Sequence, residues 1–203
     1  MRTPPRNRVG RSNRCANVTL TPESHRCHSH PSAGLRPRRL SSMDTKVGWG
    51  VLAPGRIAAL FCHDLALMPD SRLVAVGSRD PARAAAFAEV YGAPTAGSYA
   101  DVLAHPEVDV VYVASPHPFH AEHATAALEA GKHVLCEKPL TLDHASGAAL
   151  VATARRCDRF LMEAVWTAAH PVIRDLASRL RSGELGRPRR LSAAFCFAGA
   201  EDP

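Results

Sequence analysis

Lys46-Val47-Gly48-Trp49-Gly50-Val51-Leu52-Ala53-Pro54-Gly55-Arg56-Ile57-Ala58 is the stretch that decides the fold. Lys46 to Leu52 is a short apolar run ending in a glycine-containing turn, which predicts a buried strand. Ile57, Leu60, Phe61, Leu65 and Met68 follow at helical spacing, and Pro69-Asp70 ends that helix. Strand, tight turn and helix in this order are the parts of a dinucleotide site. The turn lets backbone approach a pyrophosphate, and the helix N-terminus meets its charge. Ala53 to Ala58 fits G-x-G-x-x-A with Ala53 in place of the first glycine. Gly55 would permit the close approach, and Ala58 a tight helix–strand contact.

Outward from this unit, strands and helices alternate. Leu73–Val76 reads as a second strand. Pro81 suits the first turn of a helix running to Tyr91, with Gly92 as its C-cap. Ser98 caps a short helix to Ala104. Val108–Ala114 is β-branched and predicts a buried strand. A helix over His120–Ala130 closes at Gly131, and His133–Cys136 is the next strand. Asp143 caps a helix to Cys157, and Phe160–Val165 is another strand. Such alternation predicts an α/β fold, a doubly wound parallel sheet whose ligands bind at the carboxyl ends of its strands. Pro171 starts a further helix with Val172, Ile173, Leu176 and Leu180 on one face, ended by Gly183. Arg189–Phe197 reads as a strand that either joins this sheet or opens a second domain.

Composition narrows the function classes. The chain has 203 residues, 46% hydrophobic and 22% charged, room for one domain and a fragment. No apolar run approaches the roughly 20 residues of a bilayer span. The net charge of +6 is uneven: residues 1–42 hold nine Arg and one acid, +8, which leaves −2 for the rest. A nucleic-acid binder would carry a basic face on its folded domain, so no nucleic-acid or membrane partner is expected. The basic extension reads as disordered. Its Arg- and Ser-rich, acid-poor composition also describes a transit peptide, but Met43 reads as a natural start. Cys15, Cys27, His28 and His30 match no zinc spacing. Six cysteines without a CxxC pair suit a reducing compartment, here the cytoplasm.

Three further clusters carry chemistry. Gly77-Ser78-Arg79-Asp80 ends the second strand, where an acid would bind the ribose 2′-hydroxyl of NAD. Ser78 and Arg79 suit a 2′-phosphate instead, which favours NADP over NAD. The bland alternative makes Arg79 a solvated charge and Asp80 a helix cap. Ser115-Pro116-His117-Pro118-Phe119-His120 follows a strand at the carboxyl edge. His117, His120 and His123 invite a metal reading, but His117 precedes a proline and falls outside the helix, so no metal is assigned. Glu137-Lys138-Pro139 lies just past a buried strand in a chain with only three Lys. A Lys whose charge is disfavoured by desolvation or a neighbouring cation can serve in proton transfer.

Gly50…Ala53-Pro54-Gly55-Arg56-Ile57-Ala58, Ser115-Pro116…His120, Ala127-Leu128-Glu129-Ala130-Gly131-Lys132-His133-Val134 and Glu137-Lys138-Pro139 together resemble the Gfo/Idh/MocA family of NAD(P)-dependent oxidoreductases. Glu163-Ala164-Val165-Trp166-Thr167…His170-Pro171 resembles its dihydrodiol and NADP-dependent xylose dehydrogenase branch. The resemblance implies a Rossmann-type domain over 43–168, preceded by the basic extension 1–42. It implies that 169–203 holds a linker helix and the first strand of a C-terminal substrate domain. It makes Lys138 the catalytic residue, binding the reacting hydroxyl or carbonyl. Leu52, Ala53, Pro54, Gly55, Arg56, Ile57, Ser78, Arg79, Ser115, Pro116, His120, Glu137, Lys138 and Trp166 would hold NADP. Pro116 and His120 would border the nicotinamide, Glu137 would order the site, and Trp166 would line the pocket. Ala168-Ala169 departs from the Arg-Phe usual in that branch. The substrate implied is a sugar, polyol or diol, and the family is usually homo-oligomeric. Family members continue with a domain that supplies the second catalytic residue. A non-catalytic nucleotide-binding protein or an inactive gene fragment are the competing expectations.

Overall fold

The computed structural model describes residues 46–192 and 194. Six strands form one parallel sheet: β1 (Val47–Leu52), β2 (Ser71–Gly77), β3 (Thr95–Gly97), β4 (Val110–Val113), β5 (His133–Cys136) and β6 (Leu161–Glu163). Their order is β3-β2-β1-β4-β5-β6, so the chain reverses direction across the sheet between β1 and β4. A crevice at that reversal, outside the carboxyl ends, is where such sheets bind ligands.

Among the described residues, seven α-helices connect and follow the strands: α1 (Arg56–Leu65), α2 (Pro81–Tyr91), α3 (Tyr99–Ala104), α4 (His120–Glu129), α5 (His144–Arg156), α6 (Trp166–Ala169) and α7 (Pro171–Ser182). Their boundaries have local causes. Asp80 accepts from the amides of Ala82 and Arg83 and caps α2, while Gly92 ends it at φ 71°. Ser98 and Asp101 form a reciprocal capping box on α3. Asp143 caps α5 through the amide of Ser146. Gly131 turns the chain out of α4 at φ 79°, a conformation that a Cβ would penalise.

The core lies on both faces of the sheet. On one, Ala58 and Cys62 of α1 and Phe87 and Tyr91 of α2 meet Val51, Leu73 and Tyr112. On the other, Val102 of α3, Ala124, Ala127 and Leu128 of α4, and Leu150 and Ala154 of α5 meet Leu52, Val74, Val111, Val113 and Val134. β1 sits so tightly that a Cβ on Gly48 would collide with the Glu107 carbonyl oxygen.

Several expectations need correction. The buried stripe of α1 is Ala58, Cys62 and Leu65, and Ile57, Leu60 and Met68 are exposed. The small Ala58 lets the helix approach the sheet, and that contact rotates its inward face one position from the bulkier side chains. The expected strand Phe160–Val165 shortens to Leu161–Glu163. β3 and α6, of three and four residues, had no counterpart in the sequence reading. Arg189–Ser192 is not strand, and the rest of the strand expected to Phe197, apart from Ala194, lies outside the described residues. The basic extension with Cys15, Cys27, His28 and His30 lies outside them too. Among the described residues, no helix is long and apolar enough to cross a membrane.

Candidate functional site

The crevice begins at the turn after β1. Ala53 takes φ 64°, and its amide donates to the Gly77 carbonyl at the end of β2 (2.9 Å). This left-handed residue folds the chain back so that α1 starts at the carboxyl edge. Gly55 occupies the N-cap and brings no side chain to it, and the first turn of α1 has no acid. The orphan amides of that turn are therefore left for an anionic ligand.

Ser78, Arg79 and Asp80 follow β2, each with its own surroundings. Asp80 spends its carboxylate on α2. Ser78 is buried, and its hydroxyl accepts from the Asp80 amide (3.1 Å), which keeps its own hydrogen for another acceptor. Arg79 is exposed, with its guanidinium 5.9 Å from the Phe119 ring centroid. Arg79, Tyr99, Pro116, Phe119, Glu122 and His123 line a cleft of about 270 Å³. Burial within it holds the His123 imidazole below its ordinary pKa, against a smaller opposite effect of the Glu122 charge and with further small lowering by Arg79 and His120.

The turn after β4 supplies the next wall. Ser115 is buried, and its Oγ has no hydrogen-bond partner. A buried orphan hydroxyl beside a cleft and an uncapped helix N-terminus suits a polar ligand such as a dinucleotide. His117–Phe119 is a single 3-10 turn before α4. His120 is fully buried. Its Nδ1 lies 2.7 Å from the Pro139 carbonyl oxygen and its Nε2 2.7 Å from that of Ser115. Both ring nitrogens thus face carbonyls, one in the turn after β4 and one in the turn after β5.

Glu137-Lys138-Pro139-Leu140 leaves β5 as a tethered turn with a cis Lys138–Pro139 peptide. Tyr112 of β4 donates to Glu137 Oε1 (2.6 Å), and the Lys138 amide donates to Glu137 Oε2 (3.2 Å). The Leu140 amide donates to Glu163 Oε1 at the end of β6 (2.8 Å). Tyr112 was not singled out in the sequence, and Glu163 only as part of the branch motif, although a phenol inside Val110-Val111-Tyr112-Val113 and an acid closing an apolar strand are both signals of a buried polar link. Of the lysines, Lys132 is structural: its Nζ donates to the carbonyls of His105 (2.7 Å) and Val108 (2.9 Å), and burial lowers its pKa. Lys138 is exposed at the carboxyl edge. Trp166 opens α6, just after β6, with 59% of its surface exposed.

A family model described as oxidoreductase family, NAD-binding Rossmann fold, matches residues 47–165. The chain belongs to the GFO_IDH_MocA family. Within it, D-xylose 1-dehydrogenase (NADP(+)) of Hypocrea jecorina is 42% identical over 151 residues, covering 68% of this chain and 39% of that protein. Trans-1,2-dihydrobenzene-1,2-diol dehydrogenase of Xenopus laevis is 38% identical over 150 residues, covering 72% and 46%. Among solved structures, KijD10, a 3-ketoreductase from Actinomadura kijaniata in complex with NADP, superposes with a TM-score of 0.65. It shares 37% identity and covers 70% of this chain and 46% of its own. The chain therefore spans less than half the length of these family members.

Proposed function

We propose that the chain is the NADP-binding part of an oxidoreductase acting on a sugar, polyol or diol. Residues 43–168 form the cofactor domain, preceded by the basic residues 1–42, and α7 within 169–203 serves as the linker helix toward a substrate domain. The observation that carries the cofactor is the commitment of Asp80 to the cap of α2. It leaves no carboxylate at the end of β2 for a 2′-hydroxyl, while the neighbouring Ser78 and Arg79 carry donors suited to a phosphate. The names of the xylose dehydrogenase and ketoreductase relatives support the same cofactor.

In this reading Leu52, Ala53, Pro54, Gly55, Arg56 and Ile57 cradle the pyrophosphate with backbone amides. Ser115, Pro116 and His120 border the nicotinamide side, where His120 acts by fixing the two turns and not by touching the ring. Glu137 orders Lys138, and Trp166 lines the substrate pocket. NADP, when bound, supplies hydride chemistry at a carbon bearing a hydroxyl. Lys138 binds that hydroxyl or carbonyl and handles its proton. Cys62 and Cys136 are free buried thiols, which suits the cytoplasm.

A thermal-shift titration tests it. NADPH at about a hundred times its Kd stabilises the fold by roughly 2.7 kcal/mol, and NADH by less. R79A removes that preference. Equal response to both cofactors in the wild type, or to neither, contradicts the reading. NADPH binding without turnover of a sugar, polyol or diol points to a non-catalytic nucleotide-binding protein instead.

A further inference from the structure

We propose that Tyr112 is a positioning residue for Lys138, acting through the Glu137 carboxylate; the inference rests on the reading of Lys138 as the proton-handling amine. Three observations converge on it. Tyr112 is 2% exposed, and its ring stacks on Phe61 of α1 with centroids 4.0 Å apart and planes inclined by 22°. The phenol therefore has one place to stand, set by the helix that opens the crevice. Its hydroxyl donates to Glu137 Oε1 at 2.6 Å, the distance of a hydrogen bond to a charged acceptor. The second oxygen, Oε2, accepts from the Lys138 amide at 3.2 Å. One carboxylate thus joins the β4 core to the backbone of the residue that carries the amine.

The strand register explains why the contact forms. Tyr112 pairs with Leu135, and Val113 with Cys136. The Glu137 amide continues the ladder by donating to the Val113 carbonyl (2.9 Å). Side chains alternate along a strand, so Leu135 and Glu137 share the face of Tyr112. Burial first, and then the Glu137 bond and charge, push the Tyr112 pKa well above the ordinary phenol range. Tyr112 consequently remains a proton donor to Glu137 and takes no part in acid–base exchange. Without the hydroxyl, Glu137 Oε1 loses its fixed partner, its carboxylate turns toward solvent, and the Lys138 amide loses its acceptor.

Three lysines make the test selective, because ¹⁵N-lysine labelling of the chain yields amide signals only for Lys46, Lys132 and Lys138. K46R and K138R assign them. The Lys132 amide donates to the Ala127 carbonyl in the core and reports the state of the whole fold. In Y112F, the Lys138 signal is expected to move by several line widths while that of Lys132 holds its place. NADP⁺ is then added to both proteins. Its displacement of the Lys138 signal is expected to fall by at least about half in Y112F, as one ordinary hydrogen bond is lost. A Y112F spectrum with Lys138 unmoved overturns the proposal. So does one in which Lys132 and Lys138 move together, the mark of a general loosening. E137Q, at a half-buried side chain, cuts the link from its other end and covers the case of a Y112F that does not fold. Its Lys138 signal is expected to shift too, and an unmoved one also overturns the proposal. If wild-type Lys138 ignores NADP⁺ yet moves in Y112F, the positioning stands and the functional reading of Lys138 fails.

Discussion

Ala53 holds a backbone conformation that L-residues avoid, at φ 64°. The left-handed region costs a non-glycine residue about 1–2 kcal/mol, part of which glycine returns through its freer unfolded chain. A53G is therefore expected to stabilise the fold by roughly 0.5–1 kcal/mol and raise the melting temperature by a few degrees. An unchanged or lower melting temperature in a scanning calorimeter would show that the Ala53 methyl makes compensating contacts. The motif G-x-G-x-x-A already marked this position as one that wants glycine, so the strain was legible in the sequence. The role of His120 was not. A histidine at the carboxyl edge reads as a ligand contact, whereas its burial between two carbonyls depends on the turns after β4 and β5 coming together.

Element ends were the most readable feature, because caps are local chemistry. Asp80, Ser98, Asp143, Gly92 and Gly131 all act at the places their types suggested. Element faces and very short elements were less readable. The inward stripe of α1 follows from how closely Ala58 approaches the sheet, and three residues of β3 are too few to show a period. The joining of β5 to β6 has a pH signature. His133 Nδ1 accepts from the Phe160 amide (2.9 Å), which requires an unprotonated Nδ1. Burial, and then Arg159, lower its pKa, against smaller opposite effects of Asp109 and Asp158. Between the folded value and the unfolded 6.5, only the unfolded chain holds the proton. Stability therefore falls as the pH drops below about 6.5, levels off below the folded value, and is untouched by this group at higher pH. His123 adds a contribution of the same sign. H133N, whose amide oxygen can replace Nδ1, is expected to lose less melting temperature between neutral and mildly acidic pH than the wild type. Parallel losses in the two proteins would rule this source out.

At the scale of the whole molecule, the parallel, doubly wound architecture followed from the alternation of strands and helices. The links that shape the site did not, since Tyr112 meets Glu137 only through the β4–β5 register. The described C-terminal part is a weak contributor to the fold. No residue of α7 is buried, and Val172, Ile173, Leu176 and Leu180 are 37–66% exposed. A chain ended after His170 is expected to lose less than about 0.5 kcal/mol and melt within roughly 2 °C of the full one. A fall several times larger would mean that α7 is anchored to the sheet.

The imidazole at position 120 acts like a rivet through two plates. Because it lies between the strand-four lip and the strand-five lip, the two keep their spacing, and one wall of the slot beside strand one is set before any guest arrives. An entering nucleotide then spends little of its binding energy on moulding its own berth.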